Sequence, residues 1–171
     1  THFEAFNIHV GPTADIAGGI PEEPELDDFY GLVGERSEDI EITGPSGYGP
    51  ENFVPTNTPL PYIIAFENRL DAIEPVTTLR IQTELDDDLD VRSFRLGDVF
   101  LDDMQVHIPG QRAAFTGEFD FTEERGFVLR LTAGVDVVSR TALWVLTALD
   151  PDTGLALTDS NVGLLSPGAK G

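Results

Sequence analysis

The sequence contains no cysteine and no long apolar run. With 0 Cys among its 171 residues, the chain cannot form disulfides, thiolate nucleophiles or zinc–thiolate sites. No stretch approaches the roughly 18 consecutive apolar residues that a membrane-spanning helix needs. The first residues, THFEAFNIHV, include neither an initiator Met nor a charged segment ahead of an apolar one. We therefore interpret the sequence as a mature chain or an excised fragment.

Basic residues are scarce. The chain has 10 Lys and Arg against 31 Asp and Glu, which gives a formal net charge of -21 at pH 7. Phosphate backbones and anionic lipids repel such a chain, so nucleic acid and membrane surfaces are poor partners and no membrane insertion is expected. Three explanations of the acidity stay open: calcium binding through oxygen ligands, adaptation to high salt, and solubility.

The N-terminal part of the chain is irregular in its pattern. Residues 11–61 are rich in Gly, Pro and acidic residues, and Pro disfavours both helices and central strands. We expect an arm there, with a short strand near residues 38–43, and an alternating strand before it within residues 2–10. The chain is accordingly divided into residues 1–59, an N-terminal strand and irregular acidic arm, and residues 60–171, a β-sandwich domain.

Short alternating runs separated by turn residues begin near residue 60. The clearest run has an apolar residue at every second position: Phe127, Leu129, Leu131, Ala133, Val135 and Val137. The run Thr141–Leu149 is apolar on both faces around Trp144, which is typical of a central strand. Further runs cover residues 60–66, 76–83, 104–108 and 113–121. With no sustained helical period, the sequence predicts an all-β, antiparallel β-sandwich with an extended Pro/Gly-rich N-terminal arm.

The sequence gives little support for catalysis. Ser46 lies in a Gly- and Pro-rich segment that does not match the G-x-S-x-G nucleophile motif. The three histidines are scattered along the chain, and His107 is expected on the solvent side of a strand. A glycosidase needs a carboxyl group whose pKa is raised by an apolar surround, whereas the acids of residues 84–103 lie in turn-like segments where water keeps them ionised. We predict no catalytic residues.

Calcium binding is the chemistry that the acidic residues support best, because calcium takes hard oxygen ligands. A dense group at residues 86–90 is expected to meet a second group across a loop, and DPDTG begins like many calcium loops. The predicted metal ligands are Asp86, Asp87, Asp88, Asp90, Asp102, Asp103, Asp150 and Asp152. Two alternatives stay open: a solvated loop at residues 86–90, and a simple hairpin turn at DPDTG, since Pro and Gly suit turn positions.

Several motifs occur together in one order: YIIAFEN at residues 62–68, LDDDLD at 85–90, FRLG at 94–97 and LDPDTG at 149–154. In this order they resemble an immunoglobulin-like repeat module of large secreted bacterial surface proteins of the adhesin type, over roughly residues 44–165. The resemblance implies an immunoglobulin-like sandwich, a strand at FRLG, an extracellular or cell-surface location and a non-catalytic role. Similar modules continue into a closing strand, and without it an open sheet edge would accept a strand from another chain.

The leading functional prediction is a structural or adhesive module of an extracellular bacterial assembly. It would be stabilised by calcium and would pair with neighbouring modules or with copies of itself by exchange of the N-terminal strand. The alternative is a carbohydrate-binding module, for which exposed aromatic side chains are needed; the candidates are Tyr30, Tyr48, Tyr62 and Trp144, although the strand of Trp144 favours a core position. A glycoside hydrolase is the third possibility.

Overall fold

The computed structural model describes residues 6–10, 40–45, 50, 58–158 and 161–171, which form antiparallel β structure. The strands in these ranges are β1 (Phe6–Val10), β2 (Ile40–Thr43), β3 (Ile63–Phe66), β4 (Thr78–Glu84), β5 (Val99–Leu101), β6 (Met104–Val106), β7 (Ala114–Phe121), β8 (Phe127–Asp136) and β9 (Thr141–Leu149). A single helical turn, α1 (Thr122–Arg125), joins β7 to β8, and a 3-10 turn covers Val91–Ser93.

Five strands form the main sheet in the order β1–β4–β9–β8–β7. Successive side chains of a strand point to opposite faces, so an alternating sequence gives one apolar and one hydrated face. In β8, Leu129 and Leu131 are fully buried. Arg130, which lies between them in the strand, and Thr132, which follows Leu131, are exposed. β9 lies between β4 and β8, and this central position explains why the strand is apolar on both faces.

A second layer covers the apolar face of the main sheet. It contains the pairs β2–β3 and β5–β6, and the C-terminal residues lie between them. Phe66 and Gly171 exchange backbone hydrogen bonds of 2.9 and 2.8 Å, and the Asp102 N–H donates to the Lys170 carbonyl at 2.6 Å. Apolar side chains of both layers meet in one core cluster, which includes Leu101, Val106, Leu131, Leu146 and Leu165.

The predicted all-β, antiparallel sandwich is confirmed. The strand near residues 38–43 is present as β2, which pairs with β3, and β1 pairs with β4. The rest of the predicted arm lies mostly outside the described residues, and the domain division after residue 59 stays a prediction. The predicted central strand is β9, with the expected ends.

The resemblance implies a strand at residues 94–97, and this prediction is wrong. These residues are not part of a ladder: Leu96 donates a single backbone hydrogen bond of 2.8 Å to Arg112, and the strand forms two residues later, at β5. The sequence analysis did not predict β5. Its three residues are too few to show an alternation, and one of them, Phe100, is 55% exposed.

Candidate functional site

The predicted metal ligands lie at opposite ends of the main sheet. Residues 85–90, called here the acidic loop, follow β4 at the end where the β8–β9 turn also lies. Asp102 and Asp103 form the tip of the β5–β6 hairpin and contact α1 at the other end, where Asp150 follows β9. The eight residue steps of β9 at about 3.4 Å each separate the two ends by roughly 27 Å. The acids therefore form separate groups.

The acidic loop closes around the guanidinium group of Arg140. That group donates to three backbone carbonyl oxygens, those of Leu85 (3.3 Å), Asp86 and Leu89 (2.7 Å). Its Nε lies 3.3 Å from a carboxylate oxygen of Asp87, and the Arg140 side chain is only 26% exposed. A guanidinium ion presents five N–H donors in a fixed plane. Arg140 thus supplies the positive charge that the oxygens of the acidic loop surround.

The backbone of the β8–β9 turn positions Arg140. The Asp136 carboxylate accepts hydrogen bonds from the backbone N–H groups of Val138 (2.8 Å) and Ser139 (3.4 Å). Arg140 itself has a φ of 57°, a left-handed conformation that costs a residue with a Cβ about 1 kcal/mol. Its carbonyl accepts from the Leu85 N–H at 2.8 Å. Main chain and side chain of one residue therefore both hold the acidic loop, which offsets that cost.

Two carboxylates of the acidic loop hold its own backbone. Asp86 Oδ1 accepts from the Asp88 N–H at 2.8 Å. Asp90 Oδ1 accepts from the Arg92 N–H at 3.1 Å and so caps the 3-10 turn, as a short acidic side chain commonly does at the start of a helical turn. The Asp87 side chain is 98% exposed. These groups are therefore turn-forming and solvated.

Asp102 and Asp103 belong to a different contact. Both pair with the guanidinium of Arg125, Asp102 at 3.5 Å and Asp103 more closely. Arg125 is the last residue of α1, and Gly126 ends that turn with a φ of 81°, a conformation that favours glycine. The expectation that these two acids meet residues 86–90 is wrong, because the β5–β6 hairpin points its tip to the opposite end of the sheet.

The DPDTG sequence forms a hairpin turn held by its first carboxylate. Asp150 Oδ1 accepts from the N–H of Asp152 (3.0 Å), the N–H of Thr153 (2.8 Å) and the hydroxyl of Thr153 (3.0 Å). Gly154 has a φ of 68°, and its N–H donates to the Asp150 carbonyl at 2.8 Å. This is the turn that the sequence analysis left open as an alternative, with Asp152 exposed beside it.

The eight predicted metal ligands are divided among separate groups in the structure. Among the residues that the structure describes, no three His, Asp or Glu side chains lie close enough together to hold a metal ion. In the acidic loop the inward-facing oxygens are backbone carbonyls already bonded to Arg140. A cation site there would need the guanidinium to move away.

The carboxyl groups that hold turns have lowered pKa values. Hydrogen bonds from the backbone and hydroxyl of Thr153 hold the pKa of Asp150 below its usual 3.8. The Val138 N–H and the Ser139 side chain do the same for the pKa of Asp136, and Thr122 does so for the pKa of Asp120. A hydrogen bond to the ionised form favours that form. The folded state therefore prefers these acids charged.

These lowered pKa values predict a loss of stability in acid. The stabilising contribution is fully present above the usual value of 3.8 and is lost as the pH falls through the lower folded-state values, since the unfolded chain then binds more protons. We expect the urea midpoint to fall as the pH drops below about 4. An Asp150→Asn variant, which cannot titrate, should start lower at neutral pH and fall less steeply. A midpoint that stays constant or rises in acid would contradict this.

The remaining residues considered for chemistry lie apart from these acids. His107 is exposed next to the buried Val106 and Ile108, as predicted. Its Nδ1 lies 3.1 Å from Asp98 Oδ2, and Asp98 Oδ1 accepts from the Ile108 N–H at 3.0 Å. This carboxylate thus binds the backbone two residues after the end of β6, a role that the sequence analysis did not predict.

The aromatic candidates for sugar binding do not form a platform among the described residues. Trp144 packs against the core cluster and meets Phe94 edge-on, with ring centroids 6.0 Å apart, which confirms its predicted core position. Tyr62 is 41% exposed, and Tyr30 and Tyr48 lie outside the described residues. A sugar-binding face needs exposed rings side by side, and Tyr62 alone does not provide one.

Comparison of the chain with protein-family models, with curated protein sequences and with solved structures gives no match. Within the described part of the chain, no helix is long and apolar enough to cross a membrane. The fold itself defines an antiparallel all-β sandwich, with Arg140 bonded to the acidic loop at one end and Arg125 paired with Asp102 and Asp103 at the other.

Proposed function

We propose that the chain is a structural module of an extracellular bacterial assembly. The observation that carries this proposal is that several carboxylates fix the conformation of turns at the ends of the sandwich. The carboxylates that accept a backbone N–H in this way are those of Asp86, Asp90, Asp136 and Asp150. Such bonds stiffen the connections of a β frame. The resemblance to modules of bacterial surface proteins supports the extracellular location and the adhesive role.

We also propose that modules of this kind pair with neighbouring modules or with copies of themselves. β1 lies against β4 in antiparallel register from Phe6↔Thr83 to Val10↔Leu79. The 29 intervening residues between the ends of β1 and β2 are a connection long enough to reach another molecule. The same strand of a neighbour would therefore fit the edge of β4, and strand exchange needs no new contact.

Calcium enters this proposal as an alternative cation for the acidic loop. The carbonyl and carboxylate oxygens around Arg140 are of the kind that calcium takes, but the guanidinium already bonds to three of the carbonyls. Calcium would therefore have to replace that contact. It follows that the wild-type chain should bind calcium more weakly than a variant without Arg140.

Thermal unfolding in calcium, in EDTA and in molar NaCl tests the calcium proposal. A ligand that binds only the folded state increases the free energy of unfolding by mass action, by about 2.7 kcal/mol when its concentration is a hundred times its dissociation constant. The melting temperature rises accordingly. We expect millimolar calcium to raise the melting temperature of wild type above the EDTA value, and to raise that of Arg140→Ala more. Molar NaCl reports screening of the net charge instead. Equal rises in calcium and in NaCl of matched ionic strength would contradict a calcium site.

A further inference from the structure

Strand β7 forms an edge of the main sheet. It pairs with β8 without interruption, from Ala114↔Gly134 to Phe121↔Phe127, and no strand among the described residues pairs with its other side. Half of the N–H and C=O groups of such a strand point away from the sheet and can pair with another chain. Short length, Pro, charged side chains (Lys above all) or a bulge commonly protects an edge, and of these β7 has two charged residues, Glu118 and Asp120. β7 is 8 residues long and contains neither Pro nor Lys.

The two faces of β7 differ in character. Phe115, Phe119 and Phe121 are half-buried and pack against the core cluster, so an additional strand would cover their remaining exposed surface. The ring of Phe115 folds over Gly117, where a Cβ would lie 2.7 Å from it, and the Phe115 and Phe119 rings lie 6.1 Å apart. The opposite face is exposed and consists of Ala114, Thr116, Glu118 and Asp120.

We propose that β7 pairs with β7 of a second copy of this chain, antiparallel and centred on Gly117. In this register Phe115 lies opposite Phe119 of the second copy and Thr116 opposite Glu118, so two aromatic pairs form. Ala114 lies opposite Asp120, and no acid faces an acid. Aromatic pairs between opposed strand residues are favourable, and like charges there are unfavourable. The inference rests on the proposed function, since it names a second surface for assembly with copies of itself, at the edge of the sheet opposite to the one where β1 pairs with β4.

Neighbouring registers fit less well. Pairing centred on Glu118 places the two Glu118 carboxylates of the copies directly opposite each other. Pairing centred on Thr116 places Phe115 opposite Gly117 and forms neither aromatic pair. A register that differs from this one by a slip of a single residue places inward-facing residues opposite outward-facing ones, because side chains alternate with a period of two. The alternation and the charges of β7 therefore select one register.

The net charge sets the conditions under which this pairing forms. Two copies that each carry a formal charge of -21 repel each other, and salt screens that repulsion over a Debye length of about 10 Å at 0.1 M and about 3 Å at 1 M. We therefore expect a weak dimer that strengthens as NaCl is added, the opposite of a complex held by salt bridges. Modules held side by side would pair more readily because their effective concentration is high.

Charge changes at Thr116 test the register. Thr116→Lys places a cation opposite Glu118 of the second copy, twice per dimer, and should tighten dimerisation about fivefold, while Thr116→Glu should weaken it about fivefold. Matched controls are Ile73→Lys and Ile73→Glu, which change the net charge equally at a residue that is 95% exposed on the loop before β4. Sedimentation equilibrium across a NaCl series measures the dissociation constants, and circular dichroism checks that each variant is folded.

Engineered thiols locate the contact directly. The chain has no Cys of its own, and directly opposed strand residues are within the Cα separation of about 4.4–6.8 Å that a disulfide needs. Oxidation of the double variant Thr116→Cys/Glu118→Cys should give a covalent dimer. The double variant Ala114→Cys/Thr116→Cys should not, because its nearest thiols, those at position 116 of the two copies, are two residues out of register and diagonal neighbours lie about 7–8 Å apart.

Three results would overturn the pairing: a monomer at every salt concentration, Thr116 variants that behave like the Ile73 controls, or cross-linking of the control double variant. If the chain dimerises but charge changes at Thr116 do not alter the dissociation constant, the chain self-associates through a surface other than β7. The calcium part of the proposed function is tested separately by thermal unfolding in calcium, in EDTA and in NaCl.

Discussion

Leu131→Ala is expected to lower the free energy of unfolding by about 3 kcal/mol, within the range of about 2–5 that buried Leu-to-Ala changes show. Leu131 is fully buried on the inward face of β8, where it belongs to the core cluster that joins the two layers. The change removes apolar contacts and leaves a cavity that a close-packed β-sandwich cannot fill by relaxing. Urea unfolding followed by the fluorescence of Trp144 measures the loss.

Thr132→Ala is the matched control for this prediction. Thr132 follows Leu131 in the same strand but is exposed on the outer face, where substitutions usually change stability by less than about 0.5 kcal/mol. The inward and outward residues of β8 should therefore differ severalfold in their effect. Equal losses at the two positions would show that the two faces of β8 do not differ as described.

Arg140→Ala is expected to lower the free energy of unfolding by about 2–3 kcal/mol, since charge-assisted hydrogen bonds are worth more than neutral ones and the carbonyls lose their donors. The carbonyls of Leu85, Asp86 and Leu89 are the groups affected. The loss should be local as well as global. Amide hydrogen exchange should speed up in the acidic loop before it speeds up in the core strands, which the variant leaves intact.

Arg140→Lys is the informative control. It keeps the positive charge, but a Lys ammonium cannot place donors in the planar fork of a guanidinium. We expect it to recover less than half of the stability lost in Arg140→Ala. If Lys restores full stability, charge alone holds the acidic loop and the geometry of the hydrogen bonds is irrelevant. If neither variant loses more than about 0.5 kcal/mol, the loop does not depend on Arg140.

The strands that could be predicted are those that bury one face over many residues. The period of two in β8 runs through ten residues, and the doubly apolar β9 marks the sheet centre. The same reasoning does not reach β5, whose three residues carry too little pattern. Strand order is also beyond a local pattern, because it depends on pairs such as Thr78↔Thr147 that are distant along the chain.

The candidate site shows where sequence reasoning stops. The DPDTG turn could be predicted, since its bonds join neighbouring residues and its Pro and Gly suit turn positions. The role of Arg140 could not. Its partners are backbone carbonyls 51 to 55 residues away along the chain. Every residue carries a backbone carbonyl, so no pattern of residue types can mark these three as partners. The scarcity of bases is the one available signal, because each Arg in so acidic a chain has many acids to neutralise.

The central claim is that the apolar inner faces of the strands stabilise the fold, whereas the acids hold turns at the surface. Native-state hydrogen exchange in the presence of EDTA tests this claim most directly. We predict that the amides of β4, β8 and β9 exchange only through global unfolding, and that removal of divalent ions changes exchange in the acidic loop alone. Amides of β8 and β9 that exchange as fast as those of the loops once EDTA is added would contradict this and show that a bound ion, not the apolar core, stabilises the fold.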